Sequence, residues 1–144
     1  VVIRPGFTEF ERYCRTQSLS LVIVSSGLDI YIKPTLKMLN LSNIECYTAI
    51  GKYANGGIEI SYRDPNGILI PEGFKEAYLK YLRGRNLPII YIGDSMSDIE
   101  PAKAADYIFA RGKLKVELED TGIDFWAFNT FYDIIEKIDQ LSRN

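Results

Sequence analysis

Short apolar runs alternate with amphipathic stretches along the chain. The apolar runs are rich in β-branched and aromatic side chains, and they predict strands at residues 19–24, 44–50, 87–92, 107–110 and 125–128. Apolar side chains at helical spacing predict helices near residues 6–17, 28–40, 72–84, 97–104, 112–121 and 130–142. Because strand and helix keep alternating, the sequence predicts one α/β domain over residues 1–144, layered around a mostly parallel sheet.

One segment departs from this alternation and predicts a small β-hairpin insertion at residues 56–70. Apolar and polar side chains alternate at its start, as in an exposed strand, and Asp64-Pro65-Asn66-Gly67 is a strong turn signal. Residues 68–70 are predicted to return as the hairpin partner.

Elsewhere, the continuous apolar run at 87–92 predicts a strand buried on both faces. Gly84 is placed to cap the helix that precedes this strand.

Composition and charge exclude several classes of function. The 144 residues include 19 acidic and 17 basic side chains, a formal charge of −2, which argues against generic attraction to nucleic acid or to an anionic membrane. No apolar run reaches the roughly 18–20 residues that span a membrane. No signal peptide is present at the start of the sequence. Cys14 and Cys46 are interpreted as buried free thiols of a reducing compartment, so we expect a cytoplasmic protein.

The absence of histidine is the most informative count. It excludes Ser-His-Asp and Cys-His catalysis and metal sites built on imidazole. Any catalysis must therefore come from carboxylates, Lys, Arg, hydroxyls or Cys.

Polar side chains follow two of the predicted strands. Ser25-Ser26-Gly27 comes after the first strand, and Gly93-Asp94-Ser95-Met96-Ser97-Asp98 comes after the strand at 87–92. Ligands of open parallel sheets bind beyond the carboxyl ends of the strands. The two segments are therefore the first places to look for chemistry.

Asp94 and Asp98 lie four residues apart across a predicted strand-to-helix turn. Two neighbouring carboxylates repel each other unless a cation joins them, and Mg²⁺ typically uses one or two carboxylates with waters and phosphate oxygens. The alternative is structural: Asp98 caps a helix and Asp94 fills a turn.

Two further segments are candidates for binding an anion. Ser25-Ser26-Gly27 is predicted to open a helix, where hydroxyls and backbone N–H groups bind anions, although an ordinary Ser cap fits equally well. Lys75 sits early in a predicted helix, where a cation opposes the helix dipole, so an ammonium directed at a phosphate would explain it. A solvated Lys beside Glu72 and Glu76 is the alternative. Arg111 is a weaker candidate for an anion site, or the exposed start of a helix.

The order of these motifs resembles the haloacid dehalogenase superfamily of phosphatases. Within its phosphoserine-phosphatase-like branch, the sequence is similar to phosphatases that act on 2-hydroxy-3-keto-5-methylthiopentenyl-1-phosphate. The resemblance covers nearly the whole chain, and the stretches that carry it, beside the two polar segments, are Ile3-Arg4-Pro5-Gly6-Phe7, Ala102-Lys103-Ala104-Ala105-Asp106 and Phe109-Ala110-Arg111. It implies a Rossmann-like three-layer core and a small phosphorylated metabolite as substrate.

The resemblance also implies roles for individual residues. Ser25, with Ser26 and Gly27, would bind the transferring phosphoryl group, and Lys75 would neutralise its charge and orient the nucleophile. Asp94 would ligate Mg²⁺, and Asp98 would belong to the metal site by holding a metal-bound water or the Lys. Lys75, Asp94 and Asp98 are thus the predicted catalytic residues.

One departure from the superfamily is large. Its members carry an Asp nucleophile in an Asp-x-Asp-x-Thr motif at the end of a central first strand, followed by a helical cap, and this sequence has neither. Three explanations are open: the segment belongs to the natural protein but not to this chain, a second chain supplies it, or the chain is a non-catalytic relative. The sequence also does not begin with Met, which hints that something N-terminal has been removed.

Two functions from different classes follow from these alternatives. The first is a Mg²⁺-dependent phosphomonoester hydrolase whose nucleophile lies outside these 144 residues, so that the chain alone is inactive. The second is a phosphoryl-binding or regulatory module without turnover. The hairpin is predicted either to cover the site or to join a neighbouring subunit, which leaves a homo-oligomer open.

Overall fold

The structure is a computed structural model and describes residues 3–143. The helices of this range are α1 (Phe7–Thr16), α2 (Asp29–Met38), α3 (Phe74–Arg83), α4 (Ile99–Lys103), α5 (Gly112–Thr121) and α6 (Phe131–Ser142). The strands are β1 (Val22–Leu28), β2 (Glu45–Ala54), β3 (Gly57–Ser61), β4 (Ile90–Gly93), β5 (Tyr107–Ala110) and β6 (Trp126–Ala127). A short 3₁₀ turn, Met96–Asp98, precedes α4. The predicted α/β class is confirmed.

The chain divides into two compact units. The first comprises Ser20–Leu82 and holds a sheet of order β1-β2-β3, in which β1 and β2 are parallel and β2 and β3 antiparallel. Its packing is strongly aromatic: the ring of Tyr47 stacks on that of Tyr78 at 4.2 Å, and Phe74 meets Tyr78 at 5.1 Å. The first contact joins α3 to β2, whereas the second lies within α3.

The second unit comprises residues 3–19 and 83–143 of the described range. Its sheet has the order β4-β5-β6 and is parallel throughout. The apolar run of β5 is buried, as expected for a parallel strand covered on both faces. The core of the unit is formed by Ile99, Ala102, Ile108, Ala110, Leu114 and Leu118. At another point of the unit, α1 packs on α6 through stacked rings of Phe10 and Phe131 at 5.2 Å.

The start of α2 differs from the prediction. We expected a strand at 19–24 with Ser25-Ser26-Gly27 opening the helix, but β1 runs on to Leu28 and α2 begins at Asp29. The pairing register shifts between Ser25 and Leu28, which face Thr48 and Ala49, so Ser26 and Gly27 bulge out of the ladder. A prediction from the periodicity of apolar side chains ends a strand where its apolar run ends, whereas backbone pairing continues across such a bulge.

The strand predicted at 87–92 is also shorter and less covered than expected. β4 covers only Ile90–Gly93, and Ile90 is 38% exposed. Among the described residues β4 pairs with β5 alone, which leaves its other edge without a neighbouring strand. The expectation of a strand buried on both faces is therefore wrong for residues 3–143. Gly84 directly follows the last residue of α3, and Asn86 beyond it is left-handed, at φ 59°. The cap predicted at Gly84 stays a prediction.

The predicted hairpin insertion is confirmed, but its first strand has a different pairing partner. This strand, β3, pairs with β2, with Tyr53 opposite Ile58. Residues 68–70 return onto the end of that hairpin instead, through a single antiparallel bridge between Arg63 and Leu69. The side chain of Asp64 organises the predicted turn by accepting the N–H groups of Asn66 and Ile68, each at 2.9 Å.

No helix in residues 3–143 combines the length and the apolar character needed to cross a membrane.

Candidate functional site

The turn that follows β4 is organised around the carboxylate of Asp98. Its Oδ2 accepts the backbone N–H groups of Asp94 and Ser95, both at 3.0 Å, and the Ser95 hydroxyl at 2.9 Å. Its Oδ1 accepts the hydroxyl of Tyr91 at 2.6 Å. Asp98 is 4% exposed, and a buried carboxylate is tolerated only with such partners. These contacts hold the backbone of Asp94 and Ser95 in place at the strand end.

Gly93 makes room for this carboxylate. A Cβ built on Gly93 would lie 2.6 Å from Cγ of Asp98 and 2.7 Å from its Oδ2. The glycine is therefore required by the close approach of the Asp98 side chain to the backbone, and not by an unusual φ.

Asp94 presents a different environment from Asp98. Its side chain is 48% exposed, and its Oδ2 lies 3.6 Å from a guanidinium nitrogen of Arg4 and 3.6 Å from one of Arg111. Two arginines thus flank one oxygen of an exposed carboxylate. Of the two carboxylates of this turn, that of Asp94 is the one accessible to a ligand.

Separate segments of the second unit deliver the two arginines. Arg111 is the cap residue before α5, and its backbone N–H donates to the carbonyl of Gly93 at 3.2 Å. Arg4 precedes α1, where the carbonyl of Pro5 accepts the N–H of Phe131 at 3.0 Å. The contact of Arg4 with Asp94 was not predicted from the sequence. The only sequence signal for it is the resemblance of residues 3–7 to a segment of the family.

Mg²⁺ requires oxygen ligands, and this turn carries the two carboxylates of Asp94 and Asp98. Within residues 3–143 no three acidic, Cys or His side chains come together as a metal cluster. Mg²⁺ nevertheless uses one or two protein carboxylates and completes its shell with waters and phosphate oxygens. The accessible carboxylate of Asp94 fits that requirement. The oxygens of Asp98 accept at least four donors, which hold this buried carboxylate within the turn.

In the first unit, the predicted anion-binding segment is an exposed bulge. The hydroxyl oxygen of Ser25 accepts the backbone N–H of Gly27 at 3.0 Å, and the carbonyl of Ser26 accepts the hydroxyl of Tyr62 at 3.4 Å. Because α2 begins later, neither the helix-terminus anion site nor the Ser cap expected here is formed. What remains is a hydroxyl-bearing backbone bulge stabilised by Ser25.

Asp29, at the start of α2, has a structural role. Its Oδ1 accepts the N–H of Ile30 at 2.9 Å and the N–H of Gly51 at 3.0 Å. It therefore ties the first turn of α2 to β2.

Lys75 lies near the start of a helix, as the sequence predicted. It is the second residue of α3 and is partly buried. Lys75 and Ser25 belong to the first unit, whereas Asp94 and Asp98 belong to the second, where they share one turn.

Comparison with known proteins places this geometry in context. Residues 1–103 match the sequence model of the haloacid dehalogenase-like hydrolases. A 2-hydroxy-3-keto-5-methylthiopentenyl-1-phosphate phosphatase of Brevibacillus brevis is 31% identical over 98% of this chain and 65% of its own length. The protein of the same name from Bacillus cereus is 30% identical over 96% of this chain and 64% of its own length. The chain thus spans slightly less than two thirds of the length of these relatives.

Solved structures with a similar fold include phosphoserine phosphatases. One from T. onnurineus has a TM-score of 0.63 at 19% identity and covers 96% of this chain and 60% of that chain. A structure described as a phospho-aspartyl intermediate analogue of phosphoserine phosphatase has a TM-score of 0.67 at 16% identity, with coverages of 94% and 64%. At these identities the likeness concerns the fold.

Proposed function

The chain belongs to the family of haloacid dehalogenase-like hydrolases, and we propose that the intact natural protein is a Mg²⁺-dependent phosphomonoester hydrolase. It acts on a small phosphorylated metabolite through an aspartyl-phosphate whose Asp lies outside these 144 residues. The observation that carries this proposal is the accessible carboxylate of Asp94, held at the end of β4 by the buried Asp98.

The residues supply what phosphoryl transfer requires. Such reactions depend on positioning and on neutralising the charge of the phosphoryl group more than on elaborate bases. Asp94 would hold Mg²⁺, which when bound supplies electrophilic charge to the phosphoryl oxygens. Asp98 would keep Asp94 in position, Ser25 with the Ser26-Gly27 bulge would donate hydrogen bonds to the phosphoryl group, and Lys75 would contribute a positive charge. None of these roles needs a histidine.

The location of the nucleophile is supported by two facts. The sequence contains no Asp-x-Asp-x-Thr motif, and it spans only about 65% of the length of its relative from Brevibacillus brevis. An aspartyl-phosphate divides one difficult hydrolysis into two easier steps, formation and hydrolysis of the intermediate. A nucleophilic Asp is therefore the part that the rest of the natural protein would contribute.

The relatives suggest the substrate. Two relatives at 31% identity carry the name of 2-hydroxy-3-keto-5-methylthiopentenyl-1-phosphate phosphatase, whereas the phosphoserine phosphatases named above are similar at 19% identity or less. We therefore expect a higher kcat/KM for 2-hydroxy-3-keto-5-methylthiopentenyl-1-phosphate than for phosphoserine. The reverse preference would contradict the substrate but not the reaction.

The decisive experiment is Asp94→Asn in the intact protein, with phosphate release from a generic phosphomonoester measured against Mg²⁺ concentration. Removing the charge of the cation ligand should lower the Mg²⁺-dependent rate by on the order of a hundredfold or more. Asp120→Asn, at an exposed position of α5, removes the same charge and serves as the matched control. Full metal-dependent activity of Asp94→Asn would refute the role of Asp94, and no turnover by the unmodified protein would favour a phosphoryl-binding module.

A further inference from the structure

Two arginines converge on a single oxygen of Asp94. Arg4 Nη2 and Arg111 Nη1 both lie 3.6 Å from Oδ2. The arginine side chains are 33% and 30% exposed and that of Asp94 is 48% exposed. Ion pairs with this much exposure contribute little to folding stability. Their main effect is therefore on the charge that a ligand meets at Asp94.

Backbone contacts hold both arginines at this place. The N–H of Arg111 donates to the carbonyl of Gly93, one residue before Asp94. The next residue, Gly112, has φ 56°, and a Cβ built there would lie 2.8 Å from the carbonyl oxygen of Asp94. The guanidinium of Arg4 also donates to the carbonyl of Asn129 at 3.4 Å. Each arginine is thus anchored by contacts that do not involve the Asp94 carboxylate.

The two guanidinium groups oppose a cation by their charge. They place two positive charges beside one negative charge. A divalent ion at Asp94 would be repelled by both, unless an anion such as a phosphate ester arrived with it. The arginines therefore hold the carboxylate in position and weaken the binding of a bare divalent cation.

We propose that Arg4 and Arg111 are positioning residues that hold Asp94 through its Oδ2 and limit the affinity of this carboxylate for Mg²⁺ alone. The inference rests on the proposed role of Asp94 as a cation ligand. Coulomb repulsion at a partly exposed site, screened by salt, predicts that neutralising one arginine tightens Mg²⁺ binding by about three- to tenfold at low ionic strength.

The test is calorimetric titration of the intact protein with Mg²⁺ as the only ligand. Arg4→Gln and Arg111→Gln are each expected to bind Mg²⁺ more tightly than the unmodified protein, and the difference should shrink as salt is added. Arg111→Lys keeps the charge and should restore the weaker binding. Lys115→Gln, which removes the same charge at an exposed ion pair with Glu119 at 3.9 Å, is the matched control.

The outcomes separate this inference from the proposed function. Equal or weaker Mg²⁺ binding by folded Arg4→Gln and Arg111→Gln would overturn the inference, as would an equal gain in Lys115→Gln. Because the two arginines lie in separate segments, either variant decides if the other fails to fold. If the unmodified protein gives no binding heat with Mg²⁺, the double variant Arg4→Gln/Arg111→Gln is titrated instead. Mg²⁺ binding by this double variant that disappears when Asp94→Asn is added supports the inference. No Mg²⁺ binding by the double variant overturns it. Phosphate release, measured separately, decides the proposed function.

Discussion

Asp94 and Asp98 have the same side chain, four residues apart, and opposite environments. Asp98 is buried and accepts four hydrogen bonds, whereas Asp94 is accessible and faces two arginines. The spacing along one turn was enough to predict that the two aspartates lie together. The difference between them depends on Tyr91 and Arg4, whose contacts come from the folded arrangement and have no local signal in the sequence.

The first residue-scale prediction concerns stability. Asp98→Asn should lower the free energy of unfolding by about 1.5–3 kcal/mol, because hydrogen bonds to a charged acceptor are lost and an amide NH₂ faces N–H donors. Asp94→Asn, which removes only exposed ion pairs, should cost about 0–1 kcal/mol. Urea unfolding of the intact protein measures both values. Equal losses in the two variants would contradict the assignment of Asp98 as the support of the turn.

Gly93 provides a second prediction at this scale. Gly93→Ala places a methyl group 2.6 Å from Cγ of Asp98, and overpacking of this kind costs about 1–3 kcal/mol. Because the clash is with the Asp98 side chain itself, Gly93→Ala combined with Asp98→Ala should cost less than the sum of the two single variants. Strict additivity in urea unfolding would show that the methyl group is accommodated in another way.

At the scale of elements, the sequence predicted which segments are helices and strands better than where they begin. The helix predicted at 112–121 coincides with α5, because the burial of Leu114 and Leu118 sets a clear periodicity. The strand predicted at 19–24 fails at both ends, since β1 is defined by its pairing with β2 and includes a bulge that no side-chain period reveals.

Asp106 links the starts of β4 and β5 and makes their junction dependent on pH. Its Oδ2 accepts the N–H of Ile89 at 2.7 Å and pairs with Arg83 at 2.7 Å. The hydrogen bond from Ile89, followed by Arg83, lowers the pKa of this carboxyl. The stabilisation is therefore complete above the unfolded pKa of about 3.9 and is lost as pH falls through the lower folded pKa.

The expected result is an acid-induced loss of stability that Asp106→Asn reduces. Thermal unfolding between about pH 5 and pH 2.5 should show a shallower fall in Tm for this variant than for the unmodified protein. Asp133, whose pKa is lowered by N–H donors from Thr130 and Asn129, contributes a slope of the same sign, so part of the fall remains. Asp120→Asn controls for the loss of one charge. An unchanged slope in Asp106→Asn would rule out the linkage.

At the scale of the whole molecule, β1 and β4 each form one of the two edges of a three-stranded sheet. β1 pairs only with β2, and β4 only with β5, among the described residues. Both edge strands carry apolar side chains that are only partly covered, such as Val24 and Ile90. Unpaired edges of this kind are usually covered or paired in native proteins. The sequence predicted a mostly parallel sheet, because strands alternate with helices, but not which strands would lie at an edge, since this depends on neighbours.

The last prediction compares the 144-residue chain with the intact natural protein by amide hydrogen exchange. If the remainder of that protein covers these edges, amides of β1 and β4 exchange faster in the isolated chain, because unpaired N–H groups are open to water. The segments of α5 around Leu114 and Leu118 and of α6 around Ile134 are internal references and should change less. The isolated chain should also release no phosphate, for lack of the nucleophile. Equal protection of β4 in both proteins, or turnover by the isolated chain, would refute the proposal that the catalytic Asp and an adjoining strand lie outside this sequence.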